Sequence, residues 1–199
     1  TILPDDSTPP PVVSAIPDTS FDEDGSLVLN MNPFVEDLDH PDSLIVWTVS
    51  GNSNILVDIV DSLITFTAQA NYNGSEQLSF SATDPGGLTD IGTATITVNA
   101  VNDLPVITNG PDTTATENVD YTLDLDATDV DGDALTWSLP VAPGGMVINA
   151  LTGEISWLPV QANVGDTTVT AKVVDGSGAA DSLTWTLTIL PSNTVPTIS

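Results

Sequence analysis

Residues 17–84 of this chain are answered, in order, by residues 111–175. Pro17-Asp18-Thr19-Ser20 matches Pro111-Asp112-Thr113-Thr114, Glu23 matches Glu117, and Asp37-Leu38-Asp39 matches Asp129-Val130-Asp131. Trp47 then matches Trp137, Gln69-Ala70-Asn71 matches Gln161-Ala162-Asn163, and Asp84 matches Asp175, with the offset staying between 90 and 94 residues. One such match arises by chance, whereas a colinear series requires two homologous units. The 199 residues therefore divide into two domains, each just large enough to bury a modest core. Domain 1 is expected over 11–101, a linker over 102–104 and domain 2 over 105–190.

Within each unit the apolar residues alternate with polar ones, and helical periodicity is missing. Leu183, Trp185, Leu187 and Ile189 are separated by Thr184, Thr186 and Thr188, which sends one face inward and one outward. The same alternation runs through Ile45, Trp47 and Val49, through Leu78, Phe80 and Ala82, through Ala94, Ile96 and Val98, and through Leu123, Leu125 and Ala127. About seven short strands per unit, with turn residues every 8 to 12 positions, predict an all-β chain of two tandem immunoglobulin-like sandwiches. The linker Val101-Asn102-Asp103-Leu104-Pro105 is short and stiffened by Pro105, so the domains are expected in line.

The ends extend the pattern. Thr1-Ile2-Leu3-Pro4 reappears as Thr188-Ile189-Leu190-Pro191, and Val195-Pro196-Thr197-Ile198 resembles the openings Pro11-Val12-Val13 and Pro105-Val106-Ile107. Residues 1–10 are read as the end of a preceding repeat and 191–199 as a linker and the start of a following one. The alternative is a strand, within 1–10, donated to a neighbouring subunit.

Charge narrows the function. Asp and Glu number 28 against a single basic residue, Lys172, for a net charge of −27. That field repels nucleic-acid phosphates and anionic membrane surfaces and favours cations. With no Cys, a disulfide framework, a thiolate metal site and a Cys nucleophile are excluded. The one histidine, His40, cannot build a zinc site by itself and has no evident Ser/Asp partners for a triad. No apolar run is long enough to span a bilayer, so any anchor or secretion signal is expected outside this stretch. An enzyme is not expected.

The motif Ala127-Thr128-Asp129-Val130-Asp131-Gly132-Asp133 with Leu135-Thr136-Trp137-Ser138, together with Thr152-Gly153-Glu154-Ile155-Ser156-Trp157, resembles bacterial cadherin-like repeats, including the dystroglycan-type subgroup. Asn71-Tyr72-Asn73-Gly74, Ala82-Thr83-Asp84-Pro85-Gly86-Gly87 and the linker resemble the tandem cadherin-like repeats of large bacterial adhesins. The resemblance implies Ca²⁺ shared between one domain's lower pole, the linker and the next domain's upper pole. Residue by residue it implies Glu23, Asn102, Asp103, Asp129, Asp131 and Asp175 as ligands at the central junction, with Asp133 nearby. Asp37, Asp39 and Asp84 take the matching upper-pole positions of domain 1, and Glu117 the lower pole of domain 2. Where animal cadherins carry acids before the penultimate strand this chain has Gln69-Ala70-Asn71 and Gln161-Ala162-Asn163, which implies fewer or weaker ions. The stretch Pro191-Ser192-Asn193-Thr194-Val195-Pro196 has no acid, so that junction is expected to be metal-poor.

Ca²⁺ fits this chemistry because it takes six to eight oxygens from several loops in flexible geometry. Without a cation, like charges repel by roughly 4 kcal/mol per pair at 4 Å in an intermediate dielectric. Asp-rich loops also arise because Asp favours turns, and Asp131-Gly132 makes a turn without any metal. The function implied is an extracellular or cell-surface stalk or fibre segment stiffened by Ca²⁺, whose partners are neighbouring repeats or subunits of the same protein. Two alternatives stand beside it: a carbohydrate-binding module, needing an exposed aromatic such as Trp157 or Tyr72, and a filament subunit assembling head to tail or by strand donation. Trp47, Trp137, Trp157 and Trp185 all fall in phase with apolar runs and read as core. Asn73-Gly74-Ser75 reads as a tight turn before it reads as a glycosylation signal.

Overall fold

The structure, a computed structural model, describes residues 9–192. The terminal repeats of Thr1-Ile2-Leu3-Pro4 and Val195-Pro196-Thr197-Ile198 lie outside the described residues, as does most of 1–10 and 191–199. The described chain is built from strands and three short 3-10 turns, with no α-helix among the described residues. It divides into two compact units, with the boundary in the chain between Val101 and Asn102.

Unit 1 carries β1 (Val12–Val13), β2 (Thr19–Asp22), β3 (Ser26–Asn30), β4 (Val35–Glu36), β5 (Val46–Ser50), β6 (Ile55–Val60), β7 (Leu63–Ala68), β8 (Gly74–Thr83) and β9 (Thr89–Asn99). Its four-stranded sheet has the order β2-β9-β8-β5 and packs its inner face on the three-stranded sheet β3-β7-β6, while β1 pairs with β4. Unit 2 repeats this strand for strand with β10 (Val106–Ile107), β11 (Thr114–Thr116), β12 (Tyr121–Asp124), β13 (Ala127–Thr128), β14 (Thr136–Val141), β15 (Val147–Ile148), β16 (Glu154–Trp157), β17 (Gly165–Val174) and β18 (Ala180–Leu190). Its sheets are β11-β18-β17-β14, β12-β16-β15 and the pair β10-β13. The two units thus share one topology, that of a two-sheet immunoglobulin-like sandwich.

Each unit has nine strand segments against the seven or so read from the sequence, because the opening strand is split between two sheets and its first segment pairs with an added two-residue strand. β1 runs antiparallel to β4, whereas β2 runs parallel to β9 from Thr19 opposite Ile96 to Asp22 opposite Asn99. Between them lies Pro17, which has no N–H to give a ladder, and Pro111 occupies the matching crossing between β10 and β11. One carboxylate in each unit fastens the first segment after the ladder is lost. Asp90 Oδ2 accepts the Val13 N–H at 2.7 Å, and Asp181 Oδ2 accepts the Ile107 N–H at 2.9 Å.

The alternating runs become the core. In β18, Trp185, Leu187 and Ile189 are buried while Thr184 and Thr186 are exposed, and Leu78, Phe80 and Ala82 of β8 are buried likewise. Unit 1 packs Phe66 edge-on to Phe80, with ring centroids 6.2 Å apart and planes at 77°. Unit 2 fills the same space with Trp137, Trp157 and Trp185 around Leu125, Ile155 and Val169. Asn73-Gly74 does not form the turn its sequence predicts. Asn71 takes the left-handed conformation at φ 59° and turns the chain two residues earlier, so that Gly74 already opens β8. Gly153, at φ 80°, ends the turn into β16 where a Cβ would strike the Leu125 carbonyl and the Trp137 ring.

Candidate metal centres

β8 and β9 are joined at Asp84–Leu88, and β9 then runs 11 residues to Asn99. At about 3.3 Å per residue, the two ends of that strand lie roughly 35 Å apart, so each unit has two separate poles. The sequence-selected carboxylates fall at these poles.

At the lower pole of unit 1, Glu23 follows β2 and is buried at 7% exposure. Its Oε1 accepts the Val101 N–H at 2.8 Å, just past the end of β9. Glu117 repeats the arrangement in unit 2: it is 6% exposed, and its Oε2 accepts the Ser192 N–H at 3.2 Å beyond the end of β18. Both glutamates therefore lash the chain as it leaves the last strand.

At the upper pole of unit 2 the residues after the boundary are bound into the loops. Asn102 donates from Nδ2 to Asp175 Oδ2 at 2.8 Å and to the Asp103 carbonyl at 2.7 Å, while the Asp103 N–H donates to Asp131 Oδ2 at 2.7 Å. Asp129 turns the Asp-x-Asp loop by accepting the Asp131 N–H on Oδ1 at 2.9 Å and the Asp133 N–H at 3.4 Å. Its other oxygen, Oδ2, is buried and has no partner. Asp175 accepts the N–H groups of Ser177 and Ala179 on Oδ1. The Asn102 amide, with the Ala179, Gly178 and Ser177 backbone and against the pull of burial, holds the Asp175 carboxyl below its usual range. Hydrogen bonds thus join Asn102 to Asp175, Asp103 to Asp131, and Asp129 to the backbone of Asp131 and Asp133, whereas among the described residues the one group of three acidic or histidine ligands within 4.8 Å of one another lies in unit 1.

At the upper pole of unit 1, Asp37 accepts the Asp39 and His40 N–H groups on Oδ1 at 3.0 and 2.9 Å. Its side chain is fully buried and Oδ2 has no partner. Asp84, 4% exposed, accepts the Leu88 N–H on Oδ1 at 2.8 Å, and its Oδ2 is likewise unpartnered. Burial opposes ionisation of Asp37, but the two backbone N–H groups hold its carboxyl below the usual range. Asp39 is pushed the other way by burial, by its contact with Asp37 and by the charges of Asp37 and Asp84. His40, which the sequence presents as a lone histidine, joins them: its Nδ1 lies 3.3 Å from Asp39 Oδ2 and 3.5 Å from Asp37 Oδ1. The pattern Asp37-x-Asp39-His40 was its only local signal.

Three of these carboxylates keep an oxygen that nothing compensates. A buried carboxylate oxygen without a donor is costly unless something positive faces it, and Asp37, Asp84 and Asp129 each present one. Trp47, Trp137, Trp157 and Trp185 are buried, Tyr72 is half-buried against the unit 1 core, and no aromatic among the described residues is exposed.

Comparison with known proteins follows the same division. Residues 7–98 match the Bacterial Ig domain family (Big_9), and residues 104–190 match the Putative Ig domain family (He_PIG). No curated protein sequence matches the chain. Among solved structures, PcdhgB3 EC1-4 aligns over 92% of this chain and 50% of its own, with a TM-score of 0.61 at 15% identity. Extracellular cadherin domains 3-6 of protocadherin gamma B2 align over 90% and 47%, with a TM-score of 0.59 at 15% identity. Drosophila N-cadherin EC1-4 aligns over 94% and 50%, with a TM-score of 0.58 at 14% identity. The chain therefore spans about half the length of each.

Proposed function

Because the chain is a tandem of bacterial-type Ig-like domains with a cadherin-like fold, we propose that it is a non-catalytic repeat segment of an extracellular stalk or fibre whose poles are held by Ca²⁺. The observation that carries this reading is the unit 2 upper pole. There Asn102 and Asp103 are strapped to Asp175 and Asp131, and the buried Asp129 Oδ2 is left without a donor. All the available donors are oxygens from separate loops, the set Ca²⁺ takes. Asp129, Asp131, Asp175, Asn102 and Asp103 would hold the ion. Glu23, placed with them by sequence resemblance, belongs to the preceding unit, and its membership is a separate part of the proposal. A cation at this point would offset the repulsion among the carboxylates and fix the segment that leads out of Val101. The partners that follow are neighbouring repeats of the same protein.

The test is thermal melting in EDTA and in Ca²⁺. Ligand at a hundredfold excess over Kd stabilises the folded state by about 2.7 kcal/mol, so the unit 2 transition should rise by several degrees. Asp129→Asn combined with Asp131→Asn should remove that rise, and Glu23→Gln should reduce it if Glu23 is a ligand. A midpoint that ignores Ca²⁺ in the unmodified protein would refute the reading.

A further inference from the structure

The two upper poles differ in their donors, and one difference is a nitrogen. At the position of unit 2's Gly132, unit 1 carries His40, directly after the Asp-x-Asp pair. We propose that the unit 1 upper pole, built from Asp37, Asp39 and His40 with Asp84 beside them, is a mixed nitrogen and oxygen site for a transition-metal dication of the Zn²⁺ class in preference to Ca²⁺. This rests on the reading that the pole carboxylates hold cations, and departs from it in the cation's identity.

Three observations carry the assignment. One ligand atom from each of Asp37, Asp39 and His40 can be chosen so that all lie within 4.8 Å of one another. The Asp37 side chain is fully buried with Oδ2 unpartnered, and Asp84, 4% exposed, also keeps a free Oδ2 while its charge acts on Asp39. The His40 Nδ1 has no hydrogen-bond partner although it stands 3.3 Å from Asp39 Oδ2. That separation is close to the edge of a tetrahedron with metal bonds of about 2.1 Å. Spacing alone would serve Ca²⁺ as well, so the nitrogen decides. Imidazole suits Zn²⁺, Ni²⁺ and Cu²⁺, whereas Ca²⁺ is held almost wholly by oxygens. Asp37 Oδ1 accepts the Asp39 and His40 N–H groups, which aligns the carboxylate 3.5 Å from His40 Nδ1, and its buried Oδ2 remains without a donor.

The bland alternative is a protonated imidazole satisfied by its two carboxylates, and one experiment separates the two. His40 is the only histidine, so its ring signals in a long-range proton–nitrogen NMR spectrum need no assignment. The full chain, stripped with chelator, is titrated with Zn²⁺ and then with a large excess of Ca²⁺. The expected result is a saturable shift of the His40 ring nitrogens at one equivalent of Zn²⁺ that survives the Ca²⁺. His40→Gln should weaken Zn²⁺ binding by at least about tenfold, equivalent to about 1.4 kcal/mol, while the unit 2 response to Ca²⁺ is unchanged. Asp37→Asn provides a second variant, expected to lose the same Zn²⁺ response. Each variant's melt in chelator checks that it folds. If Ca²⁺ binds unit 1 and displaces Zn²⁺ with the His40 ring unmoved, this inference fails and the calcium reading stands. If unit 1 takes neither ion, both fail there. If Zn²⁺ binds only loosely and equally well to His40→Gln, the inference also fails.

Discussion

Two units with one strand order have been given different interiors and different poles. Unit 1 is centred on the Phe66–Phe80 pair, while unit 2 buries Trp137, Trp157 and Trp185 in the corresponding sheets. At the upper pole, unit 2 ties Asp175 to Asn102 and uses Gly132 to turn the loop at φ 76°, whereas unit 1 leaves Asp84 Oδ2 unpartnered and places His40 among the carboxylates. The shared features are those that hold strands: Asp90 with Asp181, and Glu23 with Glu117. Packing tolerates exchange of side chains at constant volume and pattern, and these four carboxylates are kept where each accepts a backbone N–H that fastens a chain segment.

The largest expected effect tests whether the two interiors are separate cores. Phe80 is fully buried in unit 1 and Trp185 is 7% exposed in unit 2, and truncating a buried aromatic to Ala costs about 3–5 kcal/mol. Phe80→Ala should lower one calorimetric transition and Trp185→Ala the other. If either variant moved both transitions equally, the contrast between the cores would have no thermodynamic meaning.

A smaller effect exposes an asymmetry in acid. Glu76 in unit 1 receives the Ser53, Asn54 and Ile55 N–H groups at 2.9, 2.8 and 3.3 Å, and unit 2 has Thr167 at the matching place. Burial opposes its ionisation, yet these donors hold its carboxyl below the usual range. A carboxylate with a depressed folded pKa contributes stability that is present above its unfolded pKa, about 4.3, and is lost as pH falls through the folded value. Glu76→Gln should cost unit 1 about 1–2 kcal/mol at neutral pH and flatten its acid limb, leaving unit 2 unchanged. Melting both proteins from pH 7 down to pH 3 measures this.

The sequence made the strands and their inward faces legible because period-two alternation is a direct consequence of the pleat. Matching Glu23 to Glu117 across the repeat marked both as special, but not what they hold, since the Val101 and Ser192 N–H groups carry no side-chain signal. Asp90 and Asp181 carry no sequence signal for the same reason. His40 reads in the sequence as a lone histidine, and only the turn closed by Asp37 brings its Nδ1 beside Asp39. The Asn102 contact with Asp175 spans 73 residues, and no local pattern encodes it.

The finest contrast lies in β12, where Tyr121 stands at the position of Leu27 in β3. Its hydroxyl donates to the Asp112 carbonyl at 2.7 Å. Burial first, and then the nearby Asp112 charge, push its pKa up to about 12, against a lowering contact with Trp185. An acid whose folded pKa is raised contributes stability that is complete below its unfolded pKa, about 10, and is lost as pH rises through the folded value. Unit 2 should therefore weaken between about pH 10 and 12, and ultraviolet titration should find one tyrosine ionising near the top of that window. Tyr121→Phe should cost unit 2 about 1 kcal/mol at neutral pH and remove that alkaline loss, with no change in unit 1. If unit 1 weakened over the same window to the same extent, the effect would come from the chain's overall charge and the contrast at Tyr121 would be lost.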